Sequence, residues 1–171
     1  MKQEHEQIAR IPLYFGKGEV IAHAVVDEAD VEWLSQWQWH LVKSGTGYAG
    51  RMVRRYGGVR AILMHREILG LPHGKSNRVT DHINHDTLDN RRANLRAVTQ
   101  GQNLQNKRPY RNGTSKYRGV DWDKTKRRWR AEARLNGKHK HIGYFTSEDE
   151  AAAAASNWRA EHMPFAVETI Q

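Results

Sequence analysis

Residues Arg78 to Asn106 read RVTDHINHDTLDNRRANLRAVTQGQNLQN, and the fold turns on them. The pattern predicts a strand over Arg78 to Ile83, a long polar turn, a second strand over Leu95 to Val98 and then a helix. Thr99 and Gln102 stand at capping-box spacing, T-x-x-Q, which marks the helix start. Asp81 and His82 then fall at the end of the first strand, and Asn103 one turn into the helix. Asp86 and Asp89 suit turn formation through Asx-type bonds, and for His85, between Asn84 and Asp86, a solvated turn residue is favoured over a ligand.

These residue types divide a phosphodiester hydrolysis between them. A water must be deprotonated and aimed at phosphorus, and positive charge must settle on the crowded phosphoryl oxygens and the departing 3′ oxygen. A histidine such as His82 supplies the base, because its pKa lies near working pH. A hard divalent ion on oxygen ligands such as Asp81 and Asn103 supplies the charge.

The run D-H-I-N-H-D-T-L-D-N-R-R-A-N-L-R, followed by Asn103, resembles the HNH endonuclease signature in its phage and intron-encoded homing form. Met64-His65-Arg66 resembles that family's usual approach to the motif. The resemblance implies a ββα-metal core in which His82 is the general base. It implies that Asn94 braces the long turn, and that Asp81 and Asn103 bind one divalent metal ion, Mg²⁺ or Mn²⁺. Arg91, Arg92 and Arg96 would then face DNA phosphates, with Arg91 alternatively fixing the turn.

Upstream, the apolar runs Ile11 to Phe15 and Val20 to Val26 read as strands, and Asp27 or Asp30 offers an N-cap for a short helix through Trp33 and Leu34. Trp37, Trp39 and Leu41 alternate with polar residues as a half-buried strand does, and core is favoured over a base-stacking surface for them. Tyr48 to Arg55 and Val59 to Met64 suggest a hairpin around Gly57-Gly58. His65 to Leu69 reads as a short helix stopped by Gly70.

Downstream, Asn106 to Ser115 is polar and rich in breakers (Pro109, Asn112, Gly113), as a linker is. Lys107 to Ser147 carries thirteen Lys or Arg against Asp121, Asp123 and Glu132, a balance of +10 that accounts for the whole net charge of +9. A basic window of that kind points to a polyanion. Strands are predicted over Tyr117 to Trp122, Arg128 to Leu135 and Lys138 to Phe145, with Asn136-Gly137 as the hairpin turn. Thr146 and Ser147 cap an Ala-rich helix. In the second strand Arg128, Arg130, Glu132 and Arg134 share one face, and Trp129, Ala131, Ala133 and Leu135 share the other. The charged face, with His139 and His141 beside it, suits a sheet entering the major groove of double-stranded DNA.

This stretch resembles the plant ethylene-response-factor (AP-two) domain in YRGV, W-R-A-E-A-R, H-I-G-Y-F and S-E-D-E-A-A-A-A. Bacterial and phage versions of that domain occur fused to HNH nucleases. The resemblance carries DNA contacts to Arg118, Arg128, Arg130, Glu132, Arg134, His139 and His141. Asp121 departs from it, since plant members carry a base-reading Arg after YRGV.

The expected fold class is α+β. A β-rich region (residues 1–70) leads into an HNH core (71–107) and a linker (108–115). A three-stranded antiparallel sheet packed on one helix follows (116–171). The expected activity is a site-specific DNA endonuclease of the homing type, acting as a monomer in the cytoplasm. The alternatives are a DNA-binding regulator with an inactive HNH fold and, less favoured for want of a stacking signature, an RNA-binding protein. The chain has no cysteine, no run of eighteen apolar residues and no signal-like start, so neither disulfide, membrane span nor secretion is expected.

Overall fold

A computed structural model describes residues 7–16, 18–42, 47–55, 57–108 and 113–167, with Arg55 described by its backbone alone. The breaker-rich residues 109–112 of the expected linker lie outside them. The chain is mixed α+β and divides into two compact units, Met1–Gln100 and Gly101–Gln171.

Unit 1 is built on a five-stranded sheet in the order β2-β1-β3-β4-β5. Its strands are β1 (Ile8–Phe15), β2 (Glu19–Asp27), β3 (Trp39–Val42), β4 (Tyr48–Arg55) and β5 (Gly58–Leu63). All pairs are antiparallel except β1 with β3. Alternation does what it predicts: Ile11 and Leu13 of β1, and Ala24 and Val26 of β2, turn inward. They form one core with Leu34, Trp39, Ala49, Met64, Ile68 and Leu95. Full burial of a side chain such as Leu13 or Leu34 stabilises by about 1.5–3 kcal/mol. Gly50 permits the close approach of β3 and β5 to β4, since a Cβ there would stand 2.8 Å from a Val42 methyl and 3.3 Å from the Ile62 carbonyl oxygen.

Trp39 is wholly buried and its indole N–H donates to the Leu34 carbonyl at 2.8 Å, so the polar atom of a core tryptophan is satisfied. Trp33 and Trp37 pack partly buried against the same core. The Arg51 guanidinium lies 4.3 Å from the Trp37 ring centroid. Trp37 itself precedes β3, so the strand begins two residues later than the alternation suggests.

Two short helices close this sheet, α1 (Glu28–Leu34) and α2 (Met64–Ile68). Asp27 stands at the N-cap of α1 without capping it through its side chain; its carboxylate instead accepts the Arg92 backbone N–H at 2.8 Å. Gly70 has φ +63°, which lets the chain leave α2 in a left-handed conformation. The strands β6 (Val79–His82) and β7 (Leu95–Val98) pair antiparallel, with a 3₁₀ turn over Arg92–Asn94 leading into β7. They are not a separate body. Val25 at the sheet edge donates to the Leu88 carbonyl at 2.8 Å and accepts from the Asn90 N–H at 2.7 Å. The expected helix after β7 is a single turn, α3 (Gln100–Asn103), so Asn103 is its last residue.

Unit 2 holds β8 (Val120–Asp123), β9 (Arg128–Leu135) and β10 (Lys138–Phe145) in the order β10-β9-β8, and α4 (Glu148–His162). Ala131 and Ala133 of β9 are buried, and Val120, Ala131, Ala151 and Ala155 form the core under α4. Asn136 and Gly137 both have positive φ (50° and 79°), the requirement of a type I′ hairpin turn. Ser147 and Glu150 close a capping box on α4. The first strand starts at Val120 and not at Tyr117, because Tyr117 to Gly119 form a turn. Gly119 has φ +75°, and a Cβ there would fall on the Glu132 carbonyl oxygen, so glycine is needed at this position.

Candidate functional site

Asp81 and His82 close β6, opposite Arg96 and Leu95 of β7, and both are buried, at 5% and 6% exposure. The turn between them is a web of side-chain bonds to backbone. Asn94 accepts the Asn84 N–H at 3.0 Å through Oδ1 and donates to the Asp89 carbonyl at 2.7 Å through Nδ2. Its backbone carbonyl accepts the Ile83 N–H at 2.9 Å. Asn84 donates to the Asp89 carboxylate at 2.8 Å and accepts the Asp86 N–H at 2.8 Å, while Asp86 accepts the Leu88 N–H at 3.0 Å. Asx-type bonds therefore fold a turn rich in Asn and Asp, and Leu88 packs it against the core of unit 1. His85 adopts φ +63° and is partly buried there, where the sequence suggested solvent.

Three arginines in this region are each held by a carboxylate. Arg91 forks onto Asp89, with Nε at 2.8 Å and Nη2 at 2.7 Å, and this holds the Asp89 carboxyl below the usual carboxylate range. Arg92 forks onto Asp30 at 2.9 and 2.7 Å and donates through Nη1 to the Ile68 carbonyl at 3.0 Å. Burial raises the Asp30 pKa, but the bonds from Arg92 and Trp33 bring it below the ordinary value. Arg96 reaches one Asp81 oxygen with Nε at 2.7 Å and Nη2 at 2.6 Å. These contacts tie the turn to itself and to α1 and α2.

The surroundings of His82 were not legible in the motif. His65 of α2 stands edge-on to it, with ring centroids 5.1 Å apart, and Tyr48 of β4 lies 5.2 Å from His65 and 6.1 Å from His82. Burial lowers the His82 pKa, opposed by the Asn90 side chain and by the charges of Asp81, Asp86 and Asp89. Burial, reinforced by the Arg66 charge and by His82 whenever that ring is protonated, takes His65 down to about 3. Both imidazoles are thus kept in the base form at neutral pH. The only sequence signal for His65 was the Met64-His65-Arg66 run.

Asp81 and Asn103 offer oxygen donors, the type a hard divalent ion takes. Among the described residues no group of three or more His, Cys, Asp or Glu is placed to hold a metal ion. Asn103 follows the point at which the chain passes from unit 1 to unit 2.

In unit 2 the sheet face away from α4 carries Arg128 and Arg134, both exposed, and Arg130 and Glu132, half-buried. His139 faces Arg134 and His141 faces Glu132 across the β9–β10 ladder, and both are exposed. Arg118 sits in the turn before β8, where its Nη1 donates to the Gln105 carbonyl at 2.6 Å, and it lines one cavity with Glu132, Arg134 and His139.

Residues 63–105 match the family model described as HNH endonuclease, a span that begins at α2 and includes His65, Asp81, His82, Asn94 and Asn103. The match supports a nuclease, acting on DNA and using a divalent metal as such nucleases generally do. Comparison with curated proteins and with solved structures returns no match. Among the described residues no helix is long and apolar enough to cross a membrane.

Proposed function

We propose that this chain is a site-specific DNA endonuclease of the homing type, cutting through the HNH segment and positioned by the basic sheet of unit 2. The observation that carries the proposal is the pairing of the HNH match over residues 63–105 with a buried His82 held neutral at the end of β6. A neutral imidazole can accept the proton of an attacking water as it adds to phosphorus. The bond from phosphorus to the 3′ oxygen then breaks. Asn94 keeps the turn closed behind His82, and Arg96 orients the Asp81 carboxylate. A divalent ion held by Asp81 and Asn103 would supply the positive charge that the phosphoryl oxygens require. Two protein ligands leave most of an octahedral shell to water and phosphate, so such an ion binds weakly without DNA.

The second unit supports the same reading through its resemblance to the AP-two domain and its row of Arg128, Arg130 and Arg134 beside His139 and His141. Two unlike modules on one chain suit an asymmetric target and a monomer, since palindromic sites mirror two-fold protein symmetry. One active site attacks one phosphodiester at a time. With supercoiled plasmid and Mg²⁺, open circles should therefore accumulate before linear product, at a rate linear in protein, and a chelator should stop the reaction. Intact plasmid under all divalent ions, with specific DNA binding retained, would favour a regulator carrying an inactive HNH fold.

A further inference from the structure

Asp121 of β8 and Arg130 of β9 are register partners, and their side chains meet in a two-point fork. Arg130 Nη2 donates to Asp121 Oδ2 at 2.8 Å and Nε donates to Oδ1 at 3.3 Å. Glu132, two residues along the same face, brings a carboxylate oxygen to 3.5 Å from Nε. Tyr144 of β10 faces Arg130 from the other side, and its hydroxyl donates to Asp123 at 3.3 Å. Arg130 and Asp121 each keep 35% side-chain exposure, so the pair is walled in but reachable from solvent. Arg128 and Arg134 on either side are more exposed.

We infer that Asp121 is a specificity-determining residue, which fixes the Arg130 guanidinium so that it reads a guanine edge in the major groove. The inference rests on the reading that this sheet face meets DNA. A guanidinium has five N–H groups in a planar fork. Asp121 takes the side formed by Nε and one Nη2 hydrogen, and none of these contacts uses Nη1 or the other Nη2 hydrogen. That remaining pair has the spacing of guanine O6 and N7. A free arginine slides between phosphates and bases, whereas a clamped one presents a single geometry and has already lost its rotamer freedom. The local charge disfavours the phosphate role: the Asp121 and Glu132 carboxylates already offset the Arg130 charge, so a backbone phosphate gains little attraction there. Phosphate attraction falls to the exposed Arg128 and Arg134.

The test is selection of duplexes from a random pool by the full-length protein, in chelator so that no strand is cut. Wild type, Asp121→Asn and Arg130→Ala are compared, with thermal melts to establish that each variant folds. Wild type should enrich a motif with one G·C position that Arg130→Ala erases. Asp121→Asn should raise affinity for all sequences through its lost charge, yet reduce discrimination at that position alone. The expected loss is roughly 5- to 150-fold, the range of one bidentate base contact. An unchanged motif in Asp121→Asn, or a loss in Arg130→Ala spread evenly over all sequences with a shallower salt dependence, overturns the role of Asp121. Failure of wild type to enrich any motif overturns the DNA reading beneath it.

Discussion

Asp81 and Arg96 stand opposite each other in the β6–β7 ladder, and one Asp81 oxygen receives both Arg96 donors, at 2.7 and 2.6 Å. The two partners are unequally buried: the Asp81 side chain is 5% exposed and that of Arg96 is 22%. Removing the arginine takes a two-donor contact from a buried carboxylate, whereas removing the acid leaves a cation that water reaches. Arg96→Ala should therefore destabilise by about 3 kcal/mol, clearly more than Asp81→Asn. A divalent ion would compensate that carboxylate in place of the arginine, so Mg²⁺ should stabilise Arg96→Ala more than wild type. Urea unfolding with and without Mg²⁺ measures both effects. Equal losses in the two variants would contradict the asymmetry.

His65 links pH to stability. Its folded pKa is pushed down to about 3, below the ordinary histidine value of 6.5, so between those limits the unfolded chain binds a proton that the folded chain refuses. Stability contributed by this group is present above pH 6.5 and falls as the pH drops toward 3, by up to about 1.4 kcal/mol per pH unit. His65→Phe keeps an aromatic ring against Tyr48 and His82 and removes the proton. The wild-type stability curve should drop relative to that variant between pH 6.5 and 4.5, as read by chemical unfolding at fixed temperature. Parallel curves would mean that His65 is protonated without cost.

Arg92 and the arginines of β9 should behave as opposites. Arg92 is spent on Asp30 and the Ile68 carbonyl, and its backbone N–H on Asp27. Arg92→Ala should cost about 1–3 kcal/mol of stability and leave the salt dependence of DNA binding unchanged. Arg128→Ala and Arg134→Ala should leave stability within about 0.5 kcal/mol and each lower the salt slope by about 1. Fluorescence titrations at several salt concentrations separate the two kinds of arginine.

The elements were largely legible because their signals are local. The Arg128 to Leu135 and Lys138 to Phe145 strands appear with the predicted bounds, and the Ser147 cap with its Glu150 partner needs only three residues of spacing. Boundaries failed where a single backbone angle decides, as at Gly119, whose positive φ delays the first strand of unit 2 to Val120. The two-residue adjacency of Asp81 and His82 was plain, but their neighbourhood was not. His65 and Tyr48 reach His82 from 17 and 34 positions away in sequence, through packing of α2 and β4 that no short-range pattern encodes. The same holds for the arginine cluster. The HNH resemblance made Arg91, Arg92 and Arg96 look like phosphate ligands, with turn-fixing the alternative for Arg91, while long-range placement of Asp30 and cross-strand placement of Asp81 gave the other two carboxylate partners.

The most direct measurement compares cutting with binding in His82→Ala. His82 acts on the attacking water and not on the bound duplex, so its loss should slow cleavage by about 10²- to 10⁴-fold while DNA affinity in chelator stays within about twofold. Single-turnover cleavage of a duplex cut by the wild type, run beside a binding titration of the same duplex, gives both numbers. A His82→Ala protein that cuts at the wild-type rate, or one that loses binding in step with cleavage, would remove His82 from the chemistry.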